Sequence, residues 1–283
     1  MAHVLYCPSC GAETRQQVVQ RTHYSCPVCS ASTDKLNLSN TGKGLRLAGV
    51  YSEALGPTIT LLGSGTMVDN TQSTYFFDSG LFTVSPSSKI VVVTASAGGE
   101  QFPTLVTLND SDELGQIVAT TNGGSGTYLS MWSNNTFPLT TASGLEDNYV
   151  RVVFDTGAVL PYSGAVIVLR IDNAPSSNIF DATGSSSSAN ELISSLIPAL
   201  GSLPQTLVGA MAINSDQSKT FSWTSQDMVA ITKVGTTGAV ANTTVSVARR
   251  GVIASSSAYT MSGRVVQAGT YDNQMAGVTF KRG

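Results

Sequence analysis

From Leu45 onward, short runs of alternating apolar residues are cut repeatedly by clusters of Gly, Asn, Asp and Ser. A period of two sends successive side chains to opposite faces of a strand, and those four residues suit the turns between strands. Eight such runs lie before residue 174: "GPTITLLGSG", "STYFFDSGLFTVS", "SKIVVVTASAGG", "FPTLVTLND", "GQIVATTNGG", "TYLSMWSNN", "NYVRVVFDTG" and "GAVIVLRIDN". Eight strands are what a jelly roll or related Greek-key sandwich uses. In "IVVV" and "AVIVL" the alternation gives way to continuous apolar character, which marks central strands buried on both faces.

Residues 174–190, "APSSNIFDATGSSSSAN", read as a flexible, serine-rich junction. After it, Leu192, Ile193, Leu196, Ile197 and Leu200 recur at helical spacing, with Asn190 placed to cap and Pro198 to interrupt. Six further strand patterns follow, from "TLVGAMAIN" to "QMAGVTFKRG". The expectation is an all-β chain with a jelly-roll-like β-sandwich over 45–175 and a helix plus smaller β module over 190–283. Whether the last part stands alone or completes one larger sandwich stays open. No internal repeat of fixed period is visible, which argues against a solenoid or propeller.

All four cysteines precede this body: Cys7 and Cys10 in "CPSC", Cys26 and Cys29 in "CPVC". Two C-x-x-C pairs at this separation supply four thiolates for a tetrahedral structural Zn²⁺, and a shell of four thiolates leaves no open position for catalysis. Pro8, Pro27 and Gly11 suit the turns. The competing arrangements are two disulfides or a redox pair, and neither pair stands in the βαβ setting that redox chemistry uses. His23 is near enough to substitute as a ligand, although a surface histidine is the plainer reading. The stretch resembles the zinc ribbon family over about residues 4 to 30. The resemblance implies a metal-stabilised module, taken as 1–35, followed by a polar linker, and implies no activity.

Charged residues are 12% of the chain, about half the ~25% of a typical globular protein, so Ser, Thr, Asn, Gln and Gly must cover the surface. A net charge of −3 gives no broad basic field, which disfavours nucleic acid. No run approaches a membrane span, and "MAHVLYCPSC" lacks the pattern of a secretory signal, so synthesis in a cytoplasm is expected. The only histidines, His3 and His23, precede the body, so a Ser-His-Asp arrangement there is excluded. Carboxylates remain at Asp110, Asp112, Glu113, Glu146 and Asp147, and clustering in solvated loops is their commoner use. Tyr128 and Trp132 are the candidate platform for a sugar ring, with core burial as the competing fate. "GSGT" at 63–66 reads as a hairpin turn.

The stretch "DSGLFTVSPSSKIVVVTASAGG", residues 78–99, resembles phage virion and tail-fibre β-domains, with their glycine run reduced to Gly98 and Gly99. This resemblance implies a non-enzymatic virion protein such as a capsid decoration, vertex, fibre or tail component. Its partners would be other virion proteins, major capsid or tail proteins among them, and further copies of itself. A carbohydrate-binding β-sandwich is the alternative.

Overall fold

A computed structural model of the chain describes five strands in the leading segment and, in the body, residues 57–68, 73–99, 101–122, 126–134, 138–155, 157–201, 205–225, 227–253 and 256–282. The chain divides into two compact units, Met1–Leu55 and Gly56–Gly283. In the first unit, β1 (Val4–Cys7) and β2 (Ala12–Arg15) form an antiparallel hairpin with Cys7 opposite Ala12. Strands β3 (Gln17–Gln20), β4 (His23–Ser25) and β5 (Ser32–Asp34) form a three-stranded antiparallel sheet with Ser25 opposite Ser32.

The second unit begins with nine strands: β6 (Thr58–Met67), β7 (Thr74–Thr83), β8 (Lys89–Ala97), β9 (Leu105–Leu108), β10 (Asp112–Glu113), β11 (Gly115–Thr121), β12 (Thr127–Ser133), β13 (Glu146–Val153) and β14 (Ser163–Asp172). The order in one sheet is β11-β12-β8-β14-β6 and in the other β10-β9-β13-β7. With the two-residue β10 set aside as a spur, the eight principal strands run first, eighth, third, sixth, fifth in one sheet and second, seventh, fourth in the other, the order of a jelly roll. All eight strand patterns before residue 174 coincide with these strands.

Eight more strands complete the body: β15 (Phe180–Ser188), β16 (Leu192–Ile197), β17 (Gln205–Ile213), β18 (Phe221–Trp223), β19 (Met228–Gly235), β20 (Thr244–Ile253), β21 (Tyr259–Val265) and β22 (Asn273–Lys281). Their sheets are β15-β22-β17-β20-β19 and β16-β21-β18. Counted from β15, this is again first, eighth, third, sixth, fifth against second, seventh, fourth. The body is therefore two jelly rolls of one topology, a repeat that the sequence does not display.

Three sequence expectations are corrected by the strand pairing. Leu192–Ile197 is a strand, not a helix, paired from Leu192 opposite Arg264 to Ile197 opposite Tyr259. The same leucines and isoleucines fit either period locally, and pairing with β21 chooses two: Ile193, Ser195 and Ile197 are buried while Leu192, Ser194 and Leu196 are exposed. The serine run is likewise no flexible junction. It is the edge strand β15, held to β22 by a backbone ladder that asks nothing of its side chains, and a Cβ at Gly184 would overlap the Leu196 carbonyl of the sheet beneath. A third correction is minor, since Gly63–Thr66 lie inside β6, opposite β14, and not in a turn. Among the described residues no helix is long and apolar enough to cross a membrane.

The two five-stranded sheets face each other, giving four layers and three apolar interiors. The middle interior joins Val91, Val93, Ala95, Leu129, Ile167 and Leu169 to Val208, Ala210, Ala212, Val247, Ala276 and Val278. Each inner sheet also closes its own jelly roll, with Val92, Trp132 and Val168 in the first and Met211, Met261 and Met275 in the second. This double duty explains why every residue of β8 and of β17 is buried, and why "IVVV" shows no alternation.

The packing of the halves is reciprocal. Strand β11, fifth in its half, packs on β15, first in the other, and β19 packs on β6 in the same relation; β12 packs on β22 as β20 packs on β14. Each half presents the same face to the other, the arrangement of a two-fold symmetric dimer made within one chain.

Candidate functional site

In the leading unit Cys7 is the last residue of β1. Cys10, Cys26 and Cys29 lie outside the described residues, as does every side chain of this unit.

In the body the two aromatic residues singled out by sequence are interior. Trp132 is 6% exposed, packs between the sheets of the first jelly roll and donates its indole N–H to Ser130 Oγ at 2.8 Å. Tyr128 is 7% exposed and meets Phe102 edge to face at 4.9 Å between ring centroids. A stacking platform needs an open ring face, so the proposed sugar platform at these two residues is corrected to core.

The carboxylates brace loops. Asp112 accepts the backbone N–H of Thr140 at 2.9 Å and of Thr141 at 2.8 Å, and both threonine hydroxyls as well. Burial pushes its carboxyl up, and these four hydrogen bonds outweigh burial and hold it below the ordinary range. Asp110 accepts from the Tyr149 hydroxyl at 2.8 Å, raising that hydroxyl's pKa, and pairs with Arg151 at 3.3 Å. Asp147 accepts from Ser143 Oγ. Asp110, Asp112 and Asp147 are thus committed to structure, Glu113 is exposed and has no side-chain partner among the described residues, and the Glu146 side chain lies outside the described residues.

Beside Glu113 lies a cavity of about 630 Å³, within the range of small-molecule sites. Its origin is the path of the fifth strand. After pairing with β9 as β10, the chain crosses at Leu114 to the inner sheet as β11, and this crossing segment lines the cavity. Its lining includes the polar residues Glu113 and Gln116 and the apolar residues Ile117, Leu139 and Phe180. Sequence reasoning missed this site, because its lining comes from four separate stretches that only the sheet crossing brings together.

No family model matches the chain. No curated protein matches it in sequence. Among solved structures, Cucumber Necrosis Virus is 11% identical with a TM-score of 0.21, the alignment covering 80% of this chain and 86% of that one. Melon necrotic spot virus is 10% identical with a TM-score of 0.20, covering 80% and 96%. Cucumber Leaf Spot Virus is 11% identical with a TM-score of 0.20, covering 80% and 86%. These are weak likenesses to virus structures, and at such scores they decide neither fold nor role.

Proposed function

We propose that the chain is a non-enzymatic structural protein of a virus particle, serving as a capsid decoration, vertex, fibre or tail component. One observation carries this reading: two like jelly rolls are joined face to face by an apolar interior, so the inner sheets are spent on rigidity and the outward surface is neutral and charge-poor. Such a block acts through shape and contact area. The commitment of Asp110, Asp112 and Asp147 to loop bracing supports a non-catalytic body.

In this reading the leading hairpins hold structural Zn²⁺ through Cys7, Cys10, Cys26 and Cys29. Their thiolates cross-link the leading unit, and the metal supplies rigidity that so small a unit cannot draw from a core of its own. The rigid hairpins anchor the body to a neighbouring virion protein, such as a major capsid or tail protein, in an assembly with several copies of the chain. The test is electron microscopy of the native particle together with incorporation of a Cys7→Ser/Cys26→Ser variant. Loss of incorporation with a folded body supports the anchor; normal incorporation removes it. A purified chain that remains a solitary monomer and turns over a small molecule removes the structural reading altogether.

A further inference from the structure

We infer that the outer sheet of the second jelly roll in one copy of the chain seats on the outer sheet of the first jelly roll in the next copy. Charge is the first observation that carries this. The two halves share a topology but differ in sign: residues 56–173 hold ten acidic and three basic residues, a net charge of −7, whereas residues 174–283 hold five acidic and seven basic, a net charge of +2. Two first halves therefore repel, and unlike halves attract. The outer sheets are the outermost of the four layers and face away from each other, so a contact between unlike halves leaves one free face on each copy. Such a contact is heterologous, and it propagates from copy to copy as a stack or a closed ring.

The apolar content of the two faces is the second observation. On the edge strand β16 of the second half, Leu192 is 63% exposed and Leu196 60%; on the first half, Leu81 of β7 is 52% exposed and Leu145, just before β13, 66%. Covering both pairs removes apolar surface from water. The third observation is where the charges stand. Arg264 is exposed, lies opposite Leu192 in the β16–β21 ladder and has no ion pair among the described residues. Asp147 is exposed, and the Ser143 hydroxyl ties it to Leu145 by donating to its carboxylate and accepting the Leu145 N–H at 3.1 Å. It too has no cationic partner among the described residues. Two leucines beside a lone cation thus match two leucines beside a lone carboxylate. The inference rests on the structural reading for its setting and names the faces through which copies meet.

The test is sedimentation velocity of the full chain over a range of concentrations at low and at high salt. Association that grows with concentration and weakens with salt is expected. Arg264→Asp and Asp147→Arg should each weaken it at least about tenfold, because each sets like charges against each other. An equal mixture of the two variants should associate as the parent chain does, since each keeps the face that the other lacks. Leu192→Ser with Leu196→Ser, at exposed positions, should weaken association without lowering the melting temperature. A parent chain that stays monomeric at every concentration in low salt overturns the contact. So do charge variants that associate like the parent, or a mixture no better than either variant alone. A chain that fails here and still enters the particle loses this contact and keeps the structural role, which is read from incorporation.

Discussion

Thr127 and Thr243 hold the same place at the start of the sixth strand in the two jelly rolls, and each is hydrogen-bonded to the start of the eighth strand of the other half. The Thr127 backbone N–H donates to Asp272 Oδ2, and Ser163 Oγ donates to Thr243 Oγ1 at 2.9 Å. Ser163 and Asp272 are counterparts in the same register, opposite ends of the reciprocal face. Ser130 and Ser246 continue the correspondence, since each accepts an indole N–H, from Trp132 and from Trp223. So do Ile117 and Ile231, the extra residues of matching bulges in β11 and β19.

A reciprocal apolar face should hold the halves together without the peptide that links them. A protease site inserted in the connection between Asp172 and Phe180, followed by cleavage of the folded chain, is expected to leave the two fragments co-eluting in native size exclusion and separating in denaturant. Separation under native conditions would show that the middle interior contributes little.

Leu192–Ile197 as a strand predicts opposite outcomes at neighbouring positions. Ile197→Ala, at a side chain 1% exposed, is expected to lower stability by about 2–5 kcal/mol. Leu196→Ser, at 60% exposure, should stay within about 0.5 kcal/mol. Denaturant midpoints at unchanged m decide it, and equal losses would favour a helix with both residues inside.

Gly98 has φ of +81°, and a Cβ there would overlap the Tyr162 ring. Gly98→Ala is expected to cost more than about 1 kcal/mol in chemical denaturation, because strain and overlap add. This explains one glycine of the pair that ends "TASAGG"; at Gly99 an added Cβ would come within 2.7 Å of the Pro161 nitrogen.

Asp112 gives the first jelly roll a defined acid sensitivity. Its carboxyl titrates lower in the folded chain than in the unfolded one, so its contribution is complete above the ordinary carboxylate pKa of about 3.9 and is lost as pH falls toward the folded value. Asp112→Asn should reduce stability at neutral pH and flatten the decline below about pH 4 relative to the parent chain. Parallel stability curves for the two proteins would count against this linkage.

Replacing Cys7 and Cys26 by Ser is expected to abolish zinc binding while the body melts at an unchanged temperature, as suits a leading unit compact in itself. Zinc content by mass spectrometry and calorimetry of the same samples read the two effects apart. Protein purified without chelator that contains no zinc, or that carries two disulfides, refutes the metal site.

Short-range pattern determined the strands. Val91 to Val93, Val166 to Leu169 and the turn residues between runs encode strand positions locally, because side-chain alternation and turn chemistry act over a few residues. Tertiary structure decided what depended on distant partners. It made a strand of Leu192–Ile197 through β21, paired the serines of β15 with β22, and drew Tyr128 and Trp132 into interiors. It also joined Ser133 to Gln116 and Phe180 around one cavity. The repeat itself escaped the sequence because a jelly roll is specified by which faces are apolar, and Val, Ala, Met and Ile satisfy that demand interchangeably.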